Sequence, residues 1–303
     1  MARLRTIADA PAARGLMDDT ALLDGLVITH DTIAEGVHYR PDDPPETVGW
    51  KLAAVNASDL AAKGAAPQAA LLSLTMRGDG GWEMAFLDGL EAALAEFGID
   101  LIGGDTIALP ADAPRVLGMT AIGRAGPATP SRSGGQAGNG LWLVGTIGDS
   151  AAGLAMLDRD SNASGPLVDA FRRPNPLLSA GRAIAPIASA MMDVSDGLLI
   201  DADRLGEASG CRVEIDLGAL PLSPDFVAAR GDDRHARMFA ATGGDDYALL
   251  LSAPNTAVLG LSLPVGSRVT RVGQLVAGRG LSLSYRGDDV PTPERLGYEH
   301  RGT

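Results

Sequence analysis

One stretch limits the fold of this chain more than any other: Val55-Asn56-Ala57-Ser58-Asp59-Leu60-Ala61-Ala62-Lys63-Gly64-Ala65-Ala66-Pro67. Its Ala, Leu and Val content spells helix over residues 46–63, and Gly64 and Pro67 mark the end. Asn56 and Asp59 lie three apart and so share a face. An Ala-rich helix has few ordinary packing uses for an amide beside a carboxylate. Two readings stand for Asp59: a surface ion pair with Lys63 at i,i+4, or a functional carboxylate. The other Asp-bearing turns of the chain bear on the choice.

Those turns sit where short apolar runs end. Asp18-Asp19-Thr20 leads into Ala21-Leu22-Leu23, Asp24-Gly25 reads as a hairpin turn, and the strand 26–29 runs out into His30-Asp31-Thr32. Residues 69–76 and 116–122 read as strands and 81–97 as an amphipathic helix, with Gly103-Gly104-Asp105 between them. Residues 124–140 are rich in Gly, Pro and Ser without apolar periodicity, the best place for a domain boundary, set between 128 and 129. Beyond it, strands are expected at 141–144, 212–215, 248–252, 269–276 and 281–285, and helix at 198–208. Asp149 reads as a helix N-cap. Ser-Asp recurs at Ser58-Asp59 and Ser195-Asp196, and Gly-Gly-Asp at Gly103-Gly104-Asp105 and Gly243-Gly244-Asp245, at similar offsets. The motifs are too short to establish a duplication.

Charge and composition exclude several function classes. The 303 residues carry a formal charge of -13, which disfavours nucleic acid or anionic membrane as a partner, and aromatics at 4% are too few for base-stacking platforms. Cys211 is the only cysteine, which removes disulfide frameworks and multi-cysteine zinc sites. No apolar run reaches the roughly 18 residues of a membrane span, and residues 1–14 lack the apolar core of a signal peptide, so a soluble cytoplasmic protein is expected. Lys51 and Lys63 are the only lysines, and neither lies in a phosphate-binding G-x-x-x-x-G-K-[ST] loop. Clustered carboxylates repel one another unless cations sit between them, and Mg²⁺ is the natural hard partner of carboxylate oxygen. An Asp-rich, Lys-poor chain can therefore bind a nucleotide by letting metal ions neutralise its phosphates. Composition and spacing name no substrate.

At these residues the chain resembles the thiamine-monophosphate kinase family, which shares a superfamily with aminoimidazole ribonucleotide synthetase. The resemblance runs in order through Asp18-Asp19-Thr20-Ala21-Leu22-Leu23, residues 31–38, 51–67 and 101–106, Arg132-Ser133-Gly134, residues 144–154, Arg173-Pro174, residues 193–198 and 243–247, and Gly297-Tyr298. It implies an α/β (α+β) protein of two domains, 1–128 and 129–303, with the aminoimidazole ribonucleotide synthetase-like fold. It also implies a homodimer whose N-terminal sheets form a barrel across the interface. The implied reaction transfers the γ-phosphoryl group of ATP to thiamine monophosphate. By the resemblance, Asp19, Asp31, Asp59, Asp105, Asp193 and Asp196 hold several Mg²⁺ ions, with Thr29 and His30 as further ligand positions. Asp31, Asp59 and Asp105 are the implied catalytic carboxylates. Gly104, Asp105, Arg132 and Ser195 are implied to contact ATP, and His38, Asp245 and Tyr298 the thiamine phosphate.

The chain departs from the family pattern at a few places. Met17 stands where Gly is usual, His30 where a small hydroxyl residue is expected, Asp245 where Glu is usual, and Asn139 where Asp is common. Without the resemblance, His38 reads equally as a loop histidine making a local hydrogen bond, Arg132 as a solvated loop residue and Tyr298 as surface packing. Two other readings remain at this level. One is a synthetase that uses ATP to activate an amide oxygen; the other is a non-catalytic, metal-dependent nucleotide-binding relative.

Overall fold

A computed structural model describes residues 2–258, 261 and 263–299. The chain builds two mixed sheets joined through one buried helix. The first part contains α1 (Ala2–Ile7), β1 (Ala21–Leu23), β2 (Leu26–Ala34), α2 (Pro45–Ala62), β3 (Ala66–Met76), α3 (Gly80–Phe97), β4 (Asp100–Ala108) and β5 (Val116–Arg124). Its sheet runs β1-β2-β5-β3-β4, antiparallel except for the parallel β3–β4 pair. After a connection without regular structure come β6 (Gly140–Val144), α4 (Asp149–Leu157), α5 (Pro166–Arg172), α6 (Leu178–Ile184), β7 (Ala190–Val194), α7 (Leu198–Ser209) and β8 (Cys211–Asp216). The chain closes with α8 (Pro224–Arg230), α9 (Arg234–Thr242), β9 (Ala248–Ala253), α10 (Asn255–Val258), β10 (Val269–Ala277), β11 (Gly280–Tyr285) and β12 (Asp288–Val290). The second sheet has the order β12-β11-β8-β10-β6-β9-β7.

The helix singled out in the sequence is the pivot of this arrangement. It starts with Pro at its first position, where a missing N–H costs nothing, and is buried on almost every side. Leu52, Val55 and Leu60 belong to the core over the first sheet, while Ala61 and Ala62 join Val144, Met191 and Leu249 in the core of the second. Small residues allow this: a Cβ on Gly181 of α6 would fall 2.1 Å from Ala61 O. The two sheets thus flank one helix, and the cleft between them opens along its polar positions.

Three expectations change here. The strand that opens at Leu26 continues to Ala34, so His30, Asp31 and Thr32 are strand residues and their side chains alternate between faces. Gly103-Gly104-Asp105 is likewise inside β4, where a Cβ on Gly104 would fall 2.0 Å from Leu72 O. Gly243-Gly244-Asp245 lies in the irregular link between α9 and β9. The same three residues adopt two structures. Asp149 occupies the first turn of α4 without capping it: its carboxylate accepts from Thr146 and Ser223, while the α4 N-terminal amides of Gly148 and Ser150 donate to Asp246 at 2.7 and 3.4 Å.

Candidate active site

A cavity of about 760 Å³ lies between the two sheets. At one end the turn before β1, α2 and β7 bring three carboxylates together. Oxygens of Asp19, Asp59 and Asp193 lie within 4.8 Å of one another. Asp31 lines the same wall, because Thr29 and Asp31 share a strand face. Local bonds hold this end in place. Thr29 Oγ1 donates to Asp59 Oδ2, Ser58 Oγ donates to Asp193 Oδ2 at 2.7 Å, and Asn56 Oδ1 accepts the Asp31 amide at 3.1 Å. Asn56 and Asp59 therefore do share a working face of α2.

Lys63 does not pair with Asp59. Its ammonium, fully buried, lies 2.6 Å from Asp18 Oδ1 and 2.5 Å from Asp19 Oδ2, and it donates to Met191 O at 3.0 Å. Arg14 also pairs with Asp18 at 2.5 Å, and Arg132 pairs with Asp19. Cations thus surround Asp18 and Asp19. Among the described residues none makes an ion pair with Asp31, Asp59 or Asp193.

The charge states follow this imbalance. Burial alone would raise Asp19, but Lys63 and Arg132 outweigh it and hold the carboxyl below its usual range. Burial, with the charge of Asp19 behind it, pushes Asp31 up to about 6 and Asp193 up to about 8. Asp59 is held well above the usual range by burial and by its three acidic neighbours Asp31, Asp193 and Asp19. An all-oxygen donor set whose charges oppose one another fits a hard divalent cation such as Mg²⁺.

The other end of the cavity is built differently. Lys51, the second lysine of the chain, is buried and donates to Asp245 Oδ2 at 2.8 Å and to His38 O at 2.9 Å, with its ammonium 4.0 Å from the centre of the Phe171 ring. Tyr247 donates its hydroxyl to the other Asp245 oxygen at 2.9 Å. His38 Nδ1 accepts the Ala34 amide at 3.1 Å, which leaves the proton of the neutral ring on Nε2. Asp245 and Tyr247 both have positive φ, at 66° and 52°, a conformation that costs free energy in a non-glycine residue. Arg40–Asp158 and Arg172–Asp43 ion pairs, at 2.6 and 2.7 Å, tie the two parts of the chain together beyond this end.

Models of two adjoining domains match the chain: AIR synthase related protein, N-terminal domain, over residues 17–125, and its C-terminal domain over residues 136–286. The thiamine-monophosphate kinase of Caulobacter vibrioides is 38% identical, covering 96% of this chain and 86% of its own length. That of Salmonella typhimurium is 39% identical over 95% and 92%. The chain belongs to the thiamine-monophosphate kinase family. The solved structure of AaThiL complexed with AMPPCP and TMP has a TM-score of 0.85 at 29% identity, covering 98% of this chain and 94% of that one.

Set against the residues expected from kinase-family resemblance, the fold brings most of them to one cleft. Asp19, Asp31, Asp59, Asp193, Asp196, Arg132, Ser195, His38, Asp245 and Tyr298 all line the cavity. Thr29 stands beside the cluster as a hydrogen-bond donor to Asp59. Asp196 is turned toward Arg204, at 2.5 Å, and is not one of the three converging carboxylates. The His30 ring lies on the opposite face of β2, bonded to Thr120 Oγ1 at 2.8 Å, so the imidazole is outside the cluster and only the backbone carbonyl is left as a ligand atom at this position. Gly104 and Asp105 do not line the cavity of the single chain. β4 is the edge strand, three strand spacings or about 14 Å from β2, and Asp105 pairs with Ser73, an exposed position between buried Leu72 and Leu74. Sequence reasoning missed Lys51, Lys63, Ser58 and Tyr247. The rarity of lysine in the chain was the one available signal, since both copies are buried against carboxylates of this site.

Proposed function

We propose that this chain transfers the γ-phosphoryl group of ATP to thiamine monophosphate, giving thiamine diphosphate and ADP, the last step of thiamine diphosphate biosynthesis. The observation that carries this reading is the cleft itself: three mutually repelling carboxylates at one end and a ring-lined, internally neutralised pocket at the other. Near-complete coverage by thiamine-monophosphate kinases supports it.

Asp19, Asp31, Asp59, Asp193 and Asp196 would hold Mg²⁺, with Thr29 orienting Asp59. The bound ions supply positive charge against the phosphates. Asp59 is then a scaffold and abstracts no proton. The acceptor is a phosphate monoester with a second pKa of about 6, largely dianionic at neutral pH, so no strong general base is required. Arg132 and Ser195 contact ATP; His38, Asp245 and Tyr298 contact the thiamine phosphate, and Lys51 fixes the Asp245 carboxylate. A synthetase activating an amide oxygen has no observation in its favour here.

Two domains, 1–128 and 129–303, and a cytoplasmic homodimer complete the reading. No helix among the described residues is long and apolar enough to cross a membrane. The dimer is supported by β4, exposed along its whole length and carrying Leu101, Ile102 and Ile107 at about half exposure. Two N-terminal sheets closing a barrel through this face give Gly104 and Asp105 a route to a site that the single chain does not provide.

The product assay compares thiamine monophosphate with free thiamine in the presence of ATP and Mg²⁺. Diphosphate from the monophosphate alone is expected; no thiamine diphosphate would sink the reading. Light scattering should give a dimer that Ile102→Asp splits, and a monomeric parent would contradict the barrel.

A further inference from the structure

The loop that follows Asp193 and carries Ser195 and Asp196 is gripped from both edges, and one of the gripping groups has no part in the chemistry above. Asp201, in the first turn of α7, is fully buried. Its Oδ2 accepts the amides of both Ser195, at 3.1 Å, and Asp196, at 3.0 Å. Its Oδ1 accepts from Arg204 Nη1 at 2.8 Å, and the same nitrogen lies 2.5 Å from Asp196 Oδ2. Two backbone amides and one guanidinium thus converge on a single buried carboxyl group and hold the loop.

The carbonyls of the same segment face other partners. Val194 O accepts the Tyr247 amide, Ser195 O the Asp245 amide and Asp196 O the Tyr298 amide, each at 2.8 Å. Residues 194–196 are therefore a strip with two tied edges. Its N–H edge is anchored on Asp201, and its C=O edge carries the backbone of the acceptor end. Asp193, immediately before the strip, points into the carboxylate cluster.

We infer that Asp201 is a positioning residue that sets the spacing between the carboxylate cluster and the acceptor end of the cleft, acting through the backbone of residues 194–196. It touches no substrate. The acceptor half of this inference rests on the kinase reading; the carboxylate half does not. Phosphoryl transfer depends on near-contact alignment, where a misplacement of about 1 Å can cost about 100-fold. Asp201→Asn keeps the volume but cannot keep the bonding. An amide offers one oxygen and one NH₂, so either Arg204 or the two loop amides would face a donor.

The experiment uses the full chain and two variants, Asp201→Asn and Arg204→Gln. Three quantities are read: Mn²⁺ affinity by calorimetry without nucleotide, KM for thiamine monophosphate, and the melting midpoint. Asp201→Asn is expected to weaken Mn²⁺ binding about 10-fold and to raise that KM about 10-fold. Arg204→Gln leaves the two loop amides bonded and should move both quantities the same way by about 3-fold. A merely structural Asp201 would lower the midpoint and the active fraction while leaving Mn²⁺ affinity and KM unmoved, and that result overturns the inference. Should Asp201→Asn fail to fold, unchanged values in Arg204→Gln overturn it instead. Should the parent form no thiamine diphosphate, the kinase reading fails and the Mn²⁺ titrations alone decide the role of Asp201.

Discussion

The two ends of the cleft solve the problem of buried charge in opposite ways. At the acceptor end Asp245 is fully partnered by Lys51 and Tyr247 from within the chain. At the carboxylate end Asp31, Asp59 and Asp193 face one another, and the available cations, Lys63 and Arg132, are spent on Asp18 and Asp19. One end is electrostatically finished. At the other, those three carboxylates have no ion-pair partner among the described residues, and an all-carboxylate set of that kind fits a hard divalent cation.

The sharpest way to break this contrast is to remove one charge from each end. Asp59→Asn should cut turnover by about 100-fold or more, as expected for a lost metal ligand, while raising the melting midpoint in chelator because one of several repelling charges is gone. Turnover close to the parent's would take Asp59 out of the site; a lowered midpoint would mean that the cluster is already neutralised.

At the acceptor end the signs reverse. Lys51→Met leaves Asp245 Oδ2 and His38 O without their lysine donor, and denaturant unfolding should show a loss of about 2 kcal/mol. That is less than for a fully enclosed pair, because Asp245 keeps some contact with water. KM for thiamine monophosphate should rise about 10-fold with KM for ATP nearly unchanged. A variant as stable as the parent would show that the acceptor end is not held by this pair.

The smallest effect is in pH. Asp31 and Asp193 are raised above the unfolded value of 3.8, to about 6 and about 8, so between these limits the folded state binds more protons than the unfolded one. Their contribution is fully present below about pH 4 and is lost as pH rises through 6 and then 8. Asp19, whose value is lowered, acts only in the acid range below this window. The melting midpoint in chelator should therefore decline from pH 5 to pH 8, and added Mg²⁺ should flatten the decline. A midpoint that climbs over that range would reverse the assignment of charge at the two ends.

Much of the site was legible before folding. The helix ending at Gly64, the Asp-bearing junctions and the ordered set of family motifs all depend on local chemistry: turn formers, helix stops and apolar periodicity act over a few residues. Those same motifs gave the reaction class. Less legible was the direction of each side chain. Taking β2 to end at Thr29 hid the alternation that places Asp31 in the cleft and the His30 ring on the far face.

Tertiary structure settled what local chemistry left open. Lys63 had Asp59 within i,i+4 reach, yet pairs with Asp18 and Asp19, which fold in from far along the chain and are buried against it. A local surface pair is weak, whereas two buried carboxylates without a cation are costly, so the distant pairing wins. Gly-Gly-Asp became a strand in β4, where Leu72 backbone approaches, and an irregular link before β9, where Asp245 meets Lys51. Sequence determines which groups are present and which local shapes they permit. Their charge partners are decided by chain segments that meet only in the folded state.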